Sequence, residues 1–266
     1  MLKVLKRIGF LTVGLYILIC SGLYFFQEKI IFFPQKLSAD YIFRFDTDFE
    51  EITFKVSDRD TINTLLFKAD SSKGLIFYLH GNAGSLASWG DVAQVYIKRG
   101  YDVLLVDYRG YGKSTGHIFS QDQLYSDNQM IYDQILSRYS ENKIIILGYS
   151  IGTGMAAKLA SENSPKQLIL QAPYFSLIDM MKRRFTAIPT FILKYKFETN
   201  KYLEEVECPI VVFHGLQDGV IPYDNSVKLK NQYPSVRVIT LENQGHNGLS
   251  DNPDYLAVIS QILNQY

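Results

Sequence analysis

The first polar-to-apolar switch in the chain is its longest. Lys3, Lys6 and Arg7 precede Ile8 to Phe26, nineteen residues without a charge. That length approaches the roughly 20 apolar residues a helix needs to cross a bilayer. A cleaved signal peptide would have a shorter apolar core and a small-residue cleavage site. A lipoprotein site at Cys20 would need a small residue where Leu18-Ile19 stand. The run therefore reads as a signal anchor, residues 1–26. More bases precede it than closely follow it, which places the N-terminus in the cytoplasm and the catalytic domain on the non-cytoplasmic side of a single-pass membrane protein.

Beyond a connector at 27–50, whose Ile30 to Phe33 and Pro34 suit packing on the domain or the membrane interface, the period changes. Glu51–Ser57 and Thr61–Lys68 read as strands joined by a turn at Asp58-Arg59-Asp60. Short unbroken apolar runs then alternate with helical stretches. The runs are Leu75–Leu79, Tyr101–Val106, Ile144–Leu147, Gln167–Gln171, Ile210–Phe213 and Val236–Leu241. The helical stretches are Trp89–Arg99, Gln121–Tyr139, Met155–Ser161, Tyr223–Gln232 and Pro253–Asn264. Strands that read apolar throughout are covered on both faces, and their alternation with helices predicts an α/β fold with a mostly parallel sheet. One stretch, residues 173–205, breaks the rhythm. It is too long for an ordinary loop, helical in spacing, interrupted at Pro189, and reads as a lid insertion in a domain spanning 27–266.

Charge and cysteine count narrow the chemistry. The 27 bases and 27 acids cancel, so nothing in the balance points to a nucleic-acid partner. Only Cys20 and Cys208 are present, which excludes a disulfide framework and a cysteine zinc site. No cluster of acids or histidines calls for a metal or cofactor. The charge is unevenly spread, however. Residues 175–201 carry Lys182, Arg183, Arg184, Lys194, Lys196 and Lys201 against Asp179 and Glu198, beside many apolar side chains. A basic, apolar lid suits an anionic membrane surface; a plain pocket cover with solvated bases is the alternative.

The candidate chemistry starts at Gly148-Tyr149-Ser150-Ile151-Gly152, between a buried strand and a helix. Gly-x-Ser-x-Gly in that context is a nucleophile elbow, which lifts a serine hydroxyl clear of the sheet. Two rival patterns fail. Gly152-x-Gly154-x-x-Ala157 lacks the acid a dinucleotide site needs after the next strand. Gly112-Lys113-Ser114 has Asp107 where a phosphate loop needs its first glycine. An activated serine needs a base and the base an orienting acid, in the order Ser, Asp or Glu, His. Of His80, His117, His214 and His246, only His246 follows both the elbow and a strand-end acid, Asp218. Ser150, Asp218 and His246 are thus the candidate nucleophile, acid and base. The oxyanion donors are expected to be the backbone N–H groups of Ile151 and Asn82. His80 and Asp107 read as structural hydrogen-bonding residues.

Taken together, five motifs resemble the Bem46-like branch of the α/β-hydrolases, which includes ABHD13-like membrane-anchored serine hydrolases. They are His80-Gly81-Asn82-Ala83-Gly84, Asp107-Tyr108-Arg109-Gly110-Tyr111-Gly112-Lys113-Ser114, Gly148-Tyr149-Ser150-Ile151-Gly152, His214-Gly215-x-x-Asp218-x-x-Ile221-Pro222 and Gly245-His246-Asn247. The resemblance covers about residues 25–266. It implies an α/β-hydrolase fold and the same Ser150, Asp218 and His246 set, but little about substrate, since members include esterases, thioesterases and lipases. The expected function is a membrane-anchored serine hydrolase of acyl esters or thioesters. A peptidase or amidase of the same fold, and a non-catalytic binding scaffold, stay open as alternatives.

Overall fold

In a computed structural model that describes residues 1–264, the chain builds one eight-stranded sheet flanked by helices. Its N-terminal part is α1 (Leu2–Phe25), α2 (Gln27–Ile31), β1 (Phe33–Pro34), β2 (Phe49–Lys55), β3 (Thr61–Phe67), β4 (Leu75–Leu79) and β5 (Ala83–Gly84). There follow α3 (Leu86–Trp89), α4 (Ala93–Ile97), β6 (Asp102–Val106), α5 (Gln121–Ile135), β7 (Ile144–Tyr149), α6 (Gly152–Ser161) and β8 (Gln167–Gln171). The last third holds α7 (Leu177–Arg184), α8 (Thr199–Tyr202), β9 (Ile210–Gly215), α9 (Asp224–Gln232), β10 (Arg237–Leu241) and α10 (Pro253–Asn264).

The main sheet runs β10-β9-β8-β7-β4-β6-β3-β2. β2 and β3 are antiparallel to their neighbours; every other pairing is parallel. The apolar runs of β4, β6, β7 and β8 are buried along their whole length. Two clusters form, one on each face of the sheet. Phe77, Ile146 and Leu170 meet α5 and α6 on one side, while Tyr78, Leu147 and Phe213 meet α4 and α10 on the other. Full burial of each such side chain stabilises by about 1.5–3 kcal/mol. Parallel strands place all their C-terminal ends at one edge, and there the elbow and the loops after β4, β9 and β10 collect.

Some elements are shorter than their sequence pattern. The helix expected at Trp89–Arg99 is divided into α3, a 3-10 turn at Gly90–Val92 and α4. Phe45 fills the space where a side chain on Gly90 would stand, so this bend packs against the connector. The insertion between β8 and β9 holds α7 and α8 with single 3-10 turns, and α7 stops before Phe185, four residues ahead of Pro189.

α1 is apolar and long enough to cross a membrane, and none of its residues is fully buried. It does not stand apart from the domain. Tyr16 donates to the Ala187 carbonyl at 2.7 Å, and the Gln27 amide donates to the Ile192 carbonyl at 2.7 Å while accepting from Lys194 N–H at 2.9 Å. Glu28 takes Lys194 at 3.1 Å and the Tyr195 hydroxyl at 2.9 Å. Immediately afterwards β1 pairs in parallel with β5, Phe33 opposite Ala83 and Pro34 opposite Gly84. One short segment thus touches both the insertion and the loop after β4.

Candidate active site

The elbow is held by contacts that only glycine permits. Ser150 sits in the left-handed region at φ +52°, where a residue with a side chain is strained. A Cβ on Gly152 would lie 2.2 Å from the Leu79 carbonyl oxygen, and one on Gly148 would lie 2.6 Å from the Gly152 carbonyl oxygen. The turn is therefore pressed against the end of β4. Ser150 N–H donates to Gln171 O at 2.8 Å, and Tyr174 donates its hydroxyl to Ile151 O at 3.0 Å while accepting from Gly154 N–H at 3.1 Å.

Three loops then meet. His246 Nε2 is 3.0 Å from Ser150 Oγ, and His246 Nδ1 is 2.7 Å from Asp218 Oδ2. A carboxylate beside Nδ1 requires that nitrogen to carry the proton, which leaves the Nε2 lone pair to accept from the serine hydroxyl. Asp218 Oδ1 accepts the N–H groups of Val220 and Ile221, each at 2.8 Å. The candidate oxyanion donors are the N–H groups of Asn82, in the loop after β4, and Ile151, next to Ser150. Neither backbone N–H is taken by another protein group among the described residues. The Asn82 carbonyl is held by the Tyr111 hydroxyl at 2.5 Å.

Comparison with known proteins joins this geometry to a family. Residues 70–199 match a family model described as serine aminopeptidase, S33. The chain is 32% identical over 184 residues to the lysophosphatidylserine lipase ABHD12 of Mus musculus, covering 60% of this chain and 46% of that protein. It is 26% identical over 285 residues to protein bem46 of Schizosaccharomyces pombe, covering 98% of this chain and 93% of that one. The chain is similar to the Bem46- and ABHD-like α/β-hydrolases. It spans about half the length of the mouse lipase. Among solved structures, the Pyrococcus furiosus esterase Pf2001 superposes with a TM-score of 0.69 at 18% identity, over 89% of this chain and 98% of that one, which shows the shared fold.

The electrostatics of this α/β-hydrolase site centre on Asp218. Burial pushes its carboxyl up, but hydrogen bonds from His214 and His246, the charge of the His246 imidazole and the Ile221 N–H outweigh that and hold it well below the ordinary carboxylate range. His214 is the member of this set that sequence reading assigned only to a strand end. It is fully buried, with Nε2 against the Ile221 carbonyl at 2.8 Å and 3.3 Å from Asp218 Oδ2. The carbonyl fixes Nε2 as the protonated nitrogen, so Nδ1 accepts from Ser226 at 2.6 Å. His214 thus adds a further N–H facing the carboxylate. Tyr149, unnoticed as the variable residue of the elbow, donates its hydroxyl to the His246 carbonyl.

His80 and Asp107 take the structural positions expected of them. His80 Nδ1 donates to the Gly81 carbonyl at 2.7 Å, and its Nε2 faces Asp107 Oδ1 at 3.3 Å. Asp107 Oδ2 accepts from Leu86 N–H at 3.3 Å. Burial pushes the Asp107 carboxyl up. Arg109, in the same motif, ties its loop to Asp127 at 2.6 Å and to Asp60. Among the described residues no group of three or more His, Cys, Asp or Glu side chains stands ready to hold a metal ion.

Proposed function

We propose that the protein is a membrane-anchored serine hydrolase of acyl esters or thioesters, with Ser150, His246 and Asp218 as nucleophile, base and acid. The observation that carries the reading is the continuous chain of contacts from Ser150 Oγ through His246 to Asp218 at 3.0 and 2.7 Å. The names of the relatives, a lysophosphatidylserine lipase and an esterase, support a lipid-like ester.

In this reading Ser150 Oγ attacks the acyl carbon as its proton passes to His246 Nε2. The carbonyl π electrons move onto oxygen, and the oxyanion accepts hydrogen bonds from Asn82 and Ile151 N–H. Collapse of this intermediate breaks the bond to the leaving oxygen or sulfur, which takes the proton from His246. The acyl group is then on Ser150. Water attacks it, gives one proton to His246, and the acid leaves as Ser150 regains its hydrogen. Asp218 stays ionised throughout and stabilises the imidazolium.

A fluorophosphonate probe should label the wild-type chain and leave Ser150→Ala unlabelled, and an acyl-ester panel should be turned over by the wild type alone. Equal ester turnover by Ser150→Ala would overturn the proposal. The description of the matched family model favours one second reading, a peptidase. A matched panel of peptide amides separates the two, since a peptidase cleaves them at least as fast as the esters.

The anchor is proposed to be residues 1–26, with the hydrolase domain at 27–266 on the non-cytoplasmic side and the insertion near 173–205 as its lid. The expected basic character of this lid is reduced by pairing within the chain. Arg183 meets Asp224, Lys194 meets Glu28 at 3.1 Å and Lys201 meets Glu198 at 2.9 Å. Lys182, Arg184 and Lys196 are the lid bases without an acidic partner among the described residues. The electrostatic attraction to an anionic surface is then about half what the sequence count suggests, at about 1 kcal/mol per base.

A further inference from the structure

The contacts of α1 set the depth of the lid. Tyr16, whose hydroxyl holds the Ala187 carbonyl, precedes Phe25 at the end of α1 by nine residues. At 1.5 Å rise per residue that is roughly 14 Å along the helix. If α1 crosses a bilayer, the lid segment near Ala187 lies at the level of the acyl chains, below the headgroups. Two observations fit that depth. Phe191 and Phe185 are 83% and 53% exposed, a poor arrangement in water and a natural one in hydrocarbon. A phenol and a backbone carbonyl satisfy each other there, as polar groups in a bilayer must.

Between α1–α2 and the lid lies a cavity of about 220 Å³. Leu23, Ile30, Ile31, Met180, Phe185 and Ile188 form half of its wall, and Arg184 is its one charged lining residue. Gln27, the buried polar residue beside it, has its amide consumed by Ile192 and Lys194. At about 30 Å³ per water-sized group, the cavity accepts roughly seven carbons of a chain. Both walls are close along the chain to segments that touch the candidate site. Ile31 is two residues before Phe33, which pairs with Ala83 beside the oxyanion donor Asn82. Leu177 opens the helix that follows Ala172, next to Gln171, whose carbonyl holds Ser150 N–H.

We infer that this cavity is the acyl-chain site of the enzyme, open sideways to the bilayer core, so that a lipid ester enters from the membrane with its chain between α2 and α7 and its carbonyl toward Ser150. The inference rests on the ester-hydrolase reading and on α1 crossing the membrane. It adds a measurable consequence, which is that chain-length preference resides at the joint between anchor and lid.

The test uses the full chain in phosphatidylcholine vesicles. Met180→Trp fills the cavity from the lid wall, and Ile30→Trp, at a half-exposed position, fills it from the anchor wall. The ratio of kcat/KM for a 14-carbon acyl ester over a 2-carbon one should fall at least tenfold in either variant and stay unchanged in Leu136→Trp, an exposed site just past the end of helix α5. An unchanged ratio in a folded Met180→Trp or Ile30→Trp chain overturns the inference. Binding is read separately in Ser150→Ala, with lysophosphatidylcholine carrying a diazirine at the chain end. Crosslinks should fall on residues 23–31 and 177–193 and vanish with Ile30→Trp. Crosslinks confined elsewhere overturn the cavity assignment. Failure of the wild type on both esters, with crosslinks in the cavity, would instead overturn the hydrolase reading.

Discussion

Asp218→Asn tests the proposed mechanism at the point where the structure dictates which way the new amide must face. Oδ1 of Asp218 accepts two backbone N–H groups, from Val220 and Ile221, both at 2.8 Å. An asparagine there must place its carbonyl oxygen on that pair, because turning the NH2 toward them would bury donors against donors at a cost of several kcal/mol. The NH2 then occupies the Oδ2 position, 2.7 Å from His246 Nδ1 and 3.3 Å from His214 Nε2. His214 cannot exchange its tautomer cheaply, since its Nε2–H is committed to the Ile221 carbonyl. His246 can, and Nδ1 becomes an acceptor. Its proton moves to Nε2, the nitrogen 3.0 Å from Ser150 Oγ, which then has no lone pair for the serine proton.

A wrong tautomer of this kind costs about 10⁴-fold in kcat, or about 5.5 kcal/mol. KM for the ester should change little, because the substrate does not touch Asp218. The measurement is steady-state hydrolysis of one ester, paired with the rate of fluorophosphonate labelling, which should slow in parallel. A variant that keeps kcat within tenfold of the wild type would show that His246 does not need Asp218, and the proposed acid would be wrong.

Three further outcomes are expected. Asn82→Ala should lower kcat only a few-fold and Ile151→Pro by at least 10²-fold, since backbone N–H groups and not the Asn82 side chain serve the oxyanion; a collapse in folded Asn82→Ala would assign the donor to its side chain. Asp218 has a folded pKa below its unfolded value of about 3.9, so its contribution to stability is complete above that pH and fades as pH falls through the folded value. The gap in thermal midpoint between wild type and Asp218→Asn should therefore shrink from pH 6 to pH 3, and a widening gap would contradict the depressed pKa. The full chain should stay in the membrane fraction after alkaline carbonate washing, and its release would show that α1 does not span.

Much of the candidate site was legible because its chemistry is local in sequence. Gly148 and Gly152 mark the elbow through clashes with backbone atoms, and the order Ser150, Asp218, His246 follows strand ends that apolar runs already reveal. The parallel sheet was legible for the same reason, since β4, β6, β7 and β8 are apolar at both faces. What stayed hidden depends on three-dimensional contacts with no periodic trace. His214 looks like the last residue of a strand until Ser226 and Ile221, from beyond the next loop, fix its tautomer. Tyr149 looks like a free position until its hydroxyl reaches the His246 carbonyl. The lid bases looked free until Asp224 and Glu28 arrived from distant parts of the chain.

The connector carries the largest such surprise. Read as sequence, Ile30 to Pro34 is only an apolar tether between a membrane span and a domain. In the fold its Phe33 and Pro34 pair with Ala83 and Gly84, and Gln35 N–H donates to the Gly84 carbonyl at 2.8 Å. Those residues adjoin Asn82, one of the two candidate oxyanion donors. A two-residue strand has little stability of its own and depends on what holds its ends. Here one end is held by α2, through Gln27 and Glu28 on the insertion, and the other by Lys36, which bridges to Gly112 beside the Tyr111 that grips Asn82. Removing residues 1–35 would therefore do more than release the domain from a membrane. It would strip a strand from the loop that presents Asn82 N–H and leave the insertion without its anchor-side wall. A domain cut there should fold around its intact main sheet yet lose kcat on short soluble esters, while a cut at residue 26, which keeps α2 and β1, should retain it. Equal kcat from the two cuts would show that the oxyanion loop holds its shape without the connector.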